Sequence, residues 1–326
     1  TYNGSRYITE QLDSILSQTM YVDEIIICDD KSSDDTVKII NQYIKEDHLK
    51  DVLVRTNHFY QSEKCGIDIN LEFVLATKDK NGTTLPEPGV ERVPFNELPI
   101  DCEKFMRDNT GKYTSLLWEP NEYINIMVYP FTDSQILGIS TFPYSLKDFF
   151  LEGTQQVSAS WITLENLSFP YCISINSSYI YEQSTDERIN QNDAAITLAH
   201  ELGHYLGLRH VFSEGGTTSM CTDTDYCKDT PSYNRSEYEQ WLNNLDKQNK
   251  YQLKDLAKRY SCEKGEYEAH NIMDYAYCFY NEITLEQRKR IRHILNYSPL
   301  IPGPKESRID TRGVQDRLNL PICIMK

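Results

Sequence analysis

The stretch His200-Glu201-Leu202-Gly203-His204-Tyr205-Leu206-Gly207-Leu208-Arg209-His210 constrains this chain more than any other feature. Residues four apart on a helix share one face, so His200 and His204 can present two imidazoles to one metal ion. The apolar pattern around them predicts that helix over 193–208. Gly207 provides its stop, because glycine takes left-handed backbone angles without steric cost. The chain can then turn back and offer His210 as a third ligand. Three protein ligands leave a fourth position for water, the mark of a catalytic rather than a structural Zn²⁺ site. Glu201, next to the first ligand, can reach that water without binding the metal, as a general base must. The bland alternative is a helix with scattered histidines. Five fixed positions arise by chance on the order of once in ten thousand chains of this size, and three of the seven histidines fall inside the motif.

With 326 residues the chain suits one large domain or two ordinary ones. Its 49 Asp and Glu against 33 Lys and Arg give a net charge of −16. That balance excludes nucleic acid as an expected partner, since phosphate binding needs a cationic patch. No apolar run approaches the roughly 18 residues needed to span a bilayer, so no transmembrane segment is expected. The chain opens at Thr1 in a polar TYNGSRY without a signal peptide, and the expectation is of an incomplete N-terminus.

The first 47 residues read as a separate piece. Apolar residues at helical spacing (Ile8, Leu12, Ile15, Leu16) predict a helix within 7–18. Glu24 to Cys28 is a short apolar run, as in a strand buried on both faces, which would make Cys28 a buried free thiol. Asp29 and Asp30 follow at its end, and a second helix is expected over 36–44. The stretches TYNGSRYITEQLDSILSQT and DEIIICDDKSSDDT resemble the start of a family 2 glycosyltransferase of the GT-A fold. That resemblance implies that Asp29 and Asp30 are a vestigial nucleotide-binding pair at the edge of a parallel sheet. Between residues 48 and 200 no D-x-D motif follows to hold a metal and diphosphate, so the fragment is expected to be inactive.

Beyond a junction at 48–57 the pattern changes. Strands are expected over 67–76, 123–129 and 172–181, helices over 236–260 and 284–295, and a tail over 306–326. The stretch Asn271-Ile272-Met273-Asp274-Tyr275 begins 61 residues after His210. It resembles the Met-turn of metzincins, in which Met273 would floor the three histidines. With CGIDINLEFVLA, EPNEYINIMVYPF, TLAHELGHYLGLRHVF, CTDTDYCKDTPSYN and YSPLIPGPK, it makes residues 58–305 resemble the pappalysin family of metzincins, in its bacterial secreted or lipoprotein branch. The resemblance implies an α+β (α/β) catalytic domain: a twisted mixed sheet and zinc helix to about residue 212, over a smaller lower subdomain, 213–305, with the substrate cleft between them. It implies metal-dependent cleavage of a protein or peptide substrate outside the cytoplasm. It also implies a catalytic role for Tyr275, as a hydrogen-bond donor to the transition state.

Two further expectations attach to the lower subdomain. Asp223, Asp225, Asp229 and Thr230 offer hard oxygen ligands suited to Ca²⁺, and relatives with a comparable D-T-P stretch bind calcium. Cys221, Cys227, Cys262 and Cys278 are expected to pair among themselves, with three connectivities open. The readings from other classes are the glycosyltransferase fragment and a non-catalytic binding protein that keeps a zinc helix as scaffold. An intact Glu201 argues against the latter.

Overall fold

The computed structural model describes residues 1–16, 27–158, 162–185, 188–213, 224–246, 249–261, 263–306 and 322–325. The chain divides into two compact units, Thr1–Val54 and Arg55–Lys326.

In the first unit, α1 (Ile8–Leu16) and the start of α2 (Thr36–Tyr60) meet through Ile8, Leu12 and Ile40, with Ile27 and Ile39 packed alongside. The loop before α2 closes on the N-terminus. Ser33 donates its backbone N–H to the Asn3 side chain at 2.8 Å, and Asn3 donates its own to Ser32 Oγ at 2.9 Å. Most of the expected strand at 24–28 lies outside the described residues. Ile27 and Cys28 form no strand, and the Cys28 thiol is free but exposed rather than buried. α2 is also longer than expected. Its 25 residues run through the division between Val54 and Arg55.

The second unit is mixed α+β. After α3 (Ser62–Cys65) and α4 (Cys102–Met106) come β1 (Ile126–Tyr129), β2 (Gly138–Thr141), β3 (Tyr144–Leu146), β4 (Gln155–Val157) and β5 (Ile173–Asn176). Next is α5 (Ala194–Tyr205), then β6 (Phe212–Ser213), β7 (Tyr233–Asn234), α6 (Arg235–Asn243) and α7 (Leu253–Leu256). β8 (Lys258–Ser261), β9 (Gly265–Glu268), α8 (Leu285–Tyr297) and β10 (Ile322–Met325) complete the order. The main sheet has the order β1-β5-β2-β10, with β1 parallel to β5, and β2 antiparallel to both β5 and β10. A two-stranded β3-β4 sheet and a four-stranded β6-β7-β8-β9 sheet accompany it.

α5 lies against β2, β5 and β10, and every one of its twelve residues is buried. Its start is fixed chemically. Asp193 accepts the Ala195 backbone N–H at 2.8 Å as N-cap, and also takes Arg55 at 2.7 Å. Burial would raise the Asp193 pKa, but the Ser184 backbone N–H and Arg55 outweigh it and hold the carboxyl below its ordinary value. The last turn of α2, within the second unit, braces the same helix. Tyr60 donates its hydroxyl to the Ala199 carbonyl at 2.7 Å, with both groups buried.

Three expectations give way here. Residues 67–76 form no strand: Asn57 takes both backbone groups of Phe73 with its side-chain amide, at 2.8 Å each, and Asn70 sits at φ 58°. A side chain thus replaces a neighbouring strand. The helix expected over 236–260 stops at Asn243, restarts for one turn, and gives way to β8. Asn243 and Asn244 are weak helix formers. Burial then alternates along 258–261, with Arg259 and Ser261 inside, which is a strand period. The tail at 306–326 is not only a tail, because residues 322–325 add a strand to the main sheet.

Candidate active site

The three histidines of the motif converge. Their ligand nitrogens all lie within 4.8 Å of one another, and all three side chains are buried. Among the described residues this is the one cluster of three or more His, Cys, Asp or Glu side chains placed to hold a metal. His200 and His204 come from one face of α5. His210 returns through the turn at Gly207, whose φ is 90°. The turn is closed by the Leu208 N–H on the Gly203 carbonyl at 2.8 Å. Space as well as conformation demands glycine: a Cβ at Gly207 would stand 2.7 Å from Ile294 Cγ1.

Backbone carbonyls set the imidazole orientations. His200 Nδ1 lies 2.7 Å from the Ile272 carbonyl and His204 Nδ1 lies 2.8 Å from that of Leu208. A carbonyl only accepts, so both Nδ1 atoms carry hydrogen and each Nε2 keeps its lone pair. His204 Nε2 then faces His210 Nε2 at 3.0 Å. Burial first, then the nearby His200, Arg235 and Arg209, depress the His210 pKa well below its ordinary value, so its ring is neutral. Neutral nitrogens held on carbonyls and aimed at one point are the donor set of a metal centre.

Glu201 is fully buried on the same helix. It approaches β2 so closely that a Cβ at Gly138 would lie 2.7 Å from its Cγ and 2.8 Å from Oε1. Gly138 is therefore part of how Glu201 is seated. Met273 is fully buried beneath α5, and a Cβ at Gly203 would stand 2.4 Å from its sulfur. The turn that carries it is held by side chains. The Met273 N–H donates to Asn271 Oδ1 at 3.0 Å, and Asn271 exchanges two hydrogen bonds with Gln287 of α8.

Tyr275 packs its ring against His210 at 4.5 Å and Phe212 at 4.8 Å, under the Arg235 guanidinium at 4.2 Å. Asp274 turns the other way. Its carboxylate accepts the Tyr233 hydroxyl at 2.5 Å and pairs with Arg259 at 3.4 Å, both partners being buried. Burial raises the Asp274 pKa, opposed by Arg259. Arg259 also donates to the Ala276 carbonyl at 3.0 Å and lies 3.7 Å from the Tyr238 ring centre. Sequence reasoning missed Gly138, Arg259, Tyr233 and Arg235, and none of them left a local signal: in 258–261 the charged Arg259 is buried and Tyr260 is exposed.

The remaining expected site residues are not assembled with the histidines. Asp225 uses Oδ1 on the Cys227 N–H and Oδ2 on the Thr230 hydroxyl at 2.6 Å. Asp229 accepts the Glu286 N–H at 3.0 Å, at the start of α8. These oxygens accept from protein donors, and Asp223 lies outside the described residues. Cys227 and Cys278 are free, buried thiols, contrary to the expected pairing. Cys278 donates to the Asn271 carbonyl at 3.3 Å, while Cys221 and Cys262 lie outside the described residues. Asp29 gives both oxygens to Ser32, which lowers its pKa, and Asp30 is exposed.

Residues 160–296 match the family described as pregnancy-associated plasma protein-A, the M43 peptidases, and residues 1–63 match glycosyl transferase family 2. The extracellular metalloprotease of Arthroderma otae is 31% identical over 188 residues, which are 57% of this chain and 55% of that protein. The extracellular metalloprotease of Arthroderma benhamiae is 30% identical over the same shares. This chain thus spans about half the length of the curated relatives it matches. Among solved structures, mirolysin in complex with compound 9 is 22% identical with a TM-score of 0.45, covering 80% of this chain and 84% of that one. Mature mirolysin of Tannerella forsythia with a cleaved peptide is 22% identical with a TM-score of 0.40, over 69% and 71%. Among the described residues no helix is long and apolar enough to cross a membrane. The histidine motif and the Met273 turn both fall within residues 160–296, the stretch that matches the M43 peptidase family.

Proposed function

We propose that this chain is a zinc-dependent endopeptidase that cleaves protein or peptide substrates outside the cytoplasm, with His200, His204 and His210 holding the metal and Glu201 as general base. The observation that carries the reading is the convergence of three imidazoles beside a buried carboxylate on one helix. Held by His200, His204 and His210, zinc would supply Lewis-acid polarisation of the scissile carbonyl and make a water more acidic. Glu201 takes the proton from the attacking water and passes it to the leaving amine. Tyr275, its ring edge-on to His210, would donate its hydroxyl to the developing oxyanion. Met273 keeps the floor apolar and the histidines dry. The substrate lies extended and adds as a strand to the edge of the main sheet.

The domain assignment belongs to the same reading. Residues 1–47 are a truncated glycosyltransferase-like fragment, 48–57 a junction, and 58–305 the peptidase. The division at Arg55, and the bonds from Arg55 and Tyr60 to α5 and its N-cap, support moving the peptidase's start to the second half of α2. The names of the fungal relatives support an extracytoplasmic location.

The test is metal analysis coupled to cleavage of casein. One zinc per chain is expected, with activity lost to a chelator and restored by zinc. A purified chain that holds zinc and leaves casein and denatured proteins intact would sink the reading.

A further inference from the structure

The main sheet ends on a strand supplied by the far end of the chain. β10 pairs antiparallel with β2 in the register Ile322↔Thr141, Cys323↔Ser140, Ile324↔Ile139 and Met325↔Gly138. Without it, β2 would be the sheet's edge. β2 is also the strand nearest the proposed general base, since Gly138 and the Glu201 side chain leave no room for a Cβ between them. β10 packs in addition against α5, the helix that carries His200 and His204.

The hydrogen-bonding row that β10 uses can be identified. Thr141 donates its N–H to the Cys172 carbonyl at 3.1 Å, and the Leu137 carbonyl accepts from Asn176 at 2.9 Å. Residues 137 and 141 therefore turn toward the β5 side. Alternate residues of an antiparallel strand turn to opposite neighbours, so Gly138 and Ser140 present their N–H and C=O groups to β10. Strands pair about 4.8 Å apart, which brings the backbone of Met325 within one strand spacing of Gly138. An extended substrate adding to this edge needs the same groups of Gly138 and Ser140, and one row serves one strand.

We propose that Ile322–Met325 is a built-in competitor for the substrate edge, so that the chain restrains its own cleft. This rests on the peptidase reading above. A tethered strand acts at an effective concentration of roughly millimolar. It competes strongly with short peptides, which gain few contacts elsewhere in the cleft, and weakly with long ones. Competition of this kind raises KM and leaves kcat alone.

Cys323→Pro in the full chain tests it. Cys323 stands opposite Ser140 in the bonded row, and proline removes the N–H that the ladder needs. A fall in KM of about tenfold for a quenched fluorescent hexapeptide is expected, the tethered competitor being gone. Alongside it, kcat stays within about twofold, and hydrogen exchange at the Ser140 amide speeds up. Cys323→Ala keeps the ladder and should behave as the parent. The synthetic peptide NLPICIMK should raise KM again when added to Cys323→Pro. A chain ending at Glu306 gives the same comparison if the proline variant folds poorly. An unchanged KM, or unchanged exchange at Ser140, overturns the proposal. If no variant hydrolyses anything, the peptidase reading fails separately. Anisotropy of the labelled hexapeptide on zinc-loaded protein then decides this one: tighter binding by Cys323→Pro upholds it and equal binding overturns it.

Discussion

Each unit of this chain carries side chains singled out by its sequence resemblance, and among the described residues only the second gathers three of them into a cluster that could hold a metal. In the N-terminal unit Asp29 gives both carboxylate oxygens to Ser32, and Asp30 is exposed. In the second unit the histidines are buried, and the Ile272 and Leu208 carbonyls orient two of them. What differs is the layer behind them, which fixes tautomer and direction and excludes water. A motif supplies ligands, and surrounding structure turns them into a site.

The sharpest way to break this comparison is Glu201→Gln. If the second layer already fixes the histidines, zinc should stay bound at one per chain. Casein cleavage should fall by about a hundredfold to ten-thousandfold, the range for losing a general base. Zinc loss in the variant would mean that Glu201 supports the metal, and full activity would remove it from the mechanism.

Next in size is the layer itself. Asp274 and Arg259 are both buried, and neither touches the reacting groups. Removing one partner strands the other charge, so Asp274→Asn should cost about 3–5 kcal/mol in urea unfolding. Replacing both, Asp274→Asn with Arg259→Met, should cost less than the sum, because no lone charge remains. Additive losses would show that the pair does not hold the Met273 turn as a unit.

Gly138→Ala tests the seat of the base alone. The added Cβ would collide with Glu201 Cγ and Oε1, while the histidines are untouched. A displacement near 1 Å can cost about a hundredfold in rate. Zinc content should hold while kcat falls by up to that factor. A variant with parental kcat would show that Glu201 relaxes at no cost.

These predictions also mark what sequence could and could not reveal. The histidine motif was legible because its chemistry and its backbone coincide: four-residue spacing for the helix and Gly207 for the return. The helices at 194–205 and 285–297 announced themselves by period, and the structure adds their caps, Asp193 and Thr284. Residues 67–76 misled because alternation reads as a strand, whereas the Asn57 amide satisfies Phe73 without one. Residues 236–260 misled because Arg259, charged and so expected outside, is drawn in by Asp274 fifteen positions on. Gly138 was silent because nothing local tells a glycine that a glutamate 63 residues later will press on it. The missing information is long-range contact in every case.

The smallest expected effect is also the cleanest test of where the two units part. A chain beginning at Val52 removes the glycosyltransferase-like fragment and most of α2. The last turns of that helix remain, and nine residues do not hold a helix alone in water. Tertiary bonds hold them here: Arg55 to Asp193 at 2.7 Å, the Tyr60 hydroxyl to Ala199 at 2.7 Å, and the Asn57 amide to Phe73. All of these lie within the second unit. The shortened chain should therefore keep its zinc, and its casein cleavage should stay within about twofold, since no group near the histidines is lost. A cut at Ile67 removes Arg55, Asn57 and Tyr60 together, so Asp193 loses its ion-pair partner and both backbone groups of Phe73 lose theirs. Each such loss costs about 1–3 kcal/mol, so that chain should unfold or bind zinc poorly. Equal behaviour of the two would show that α2 plays no part in the peptidase. Failure of the first would show that the fragment has become part of its fold.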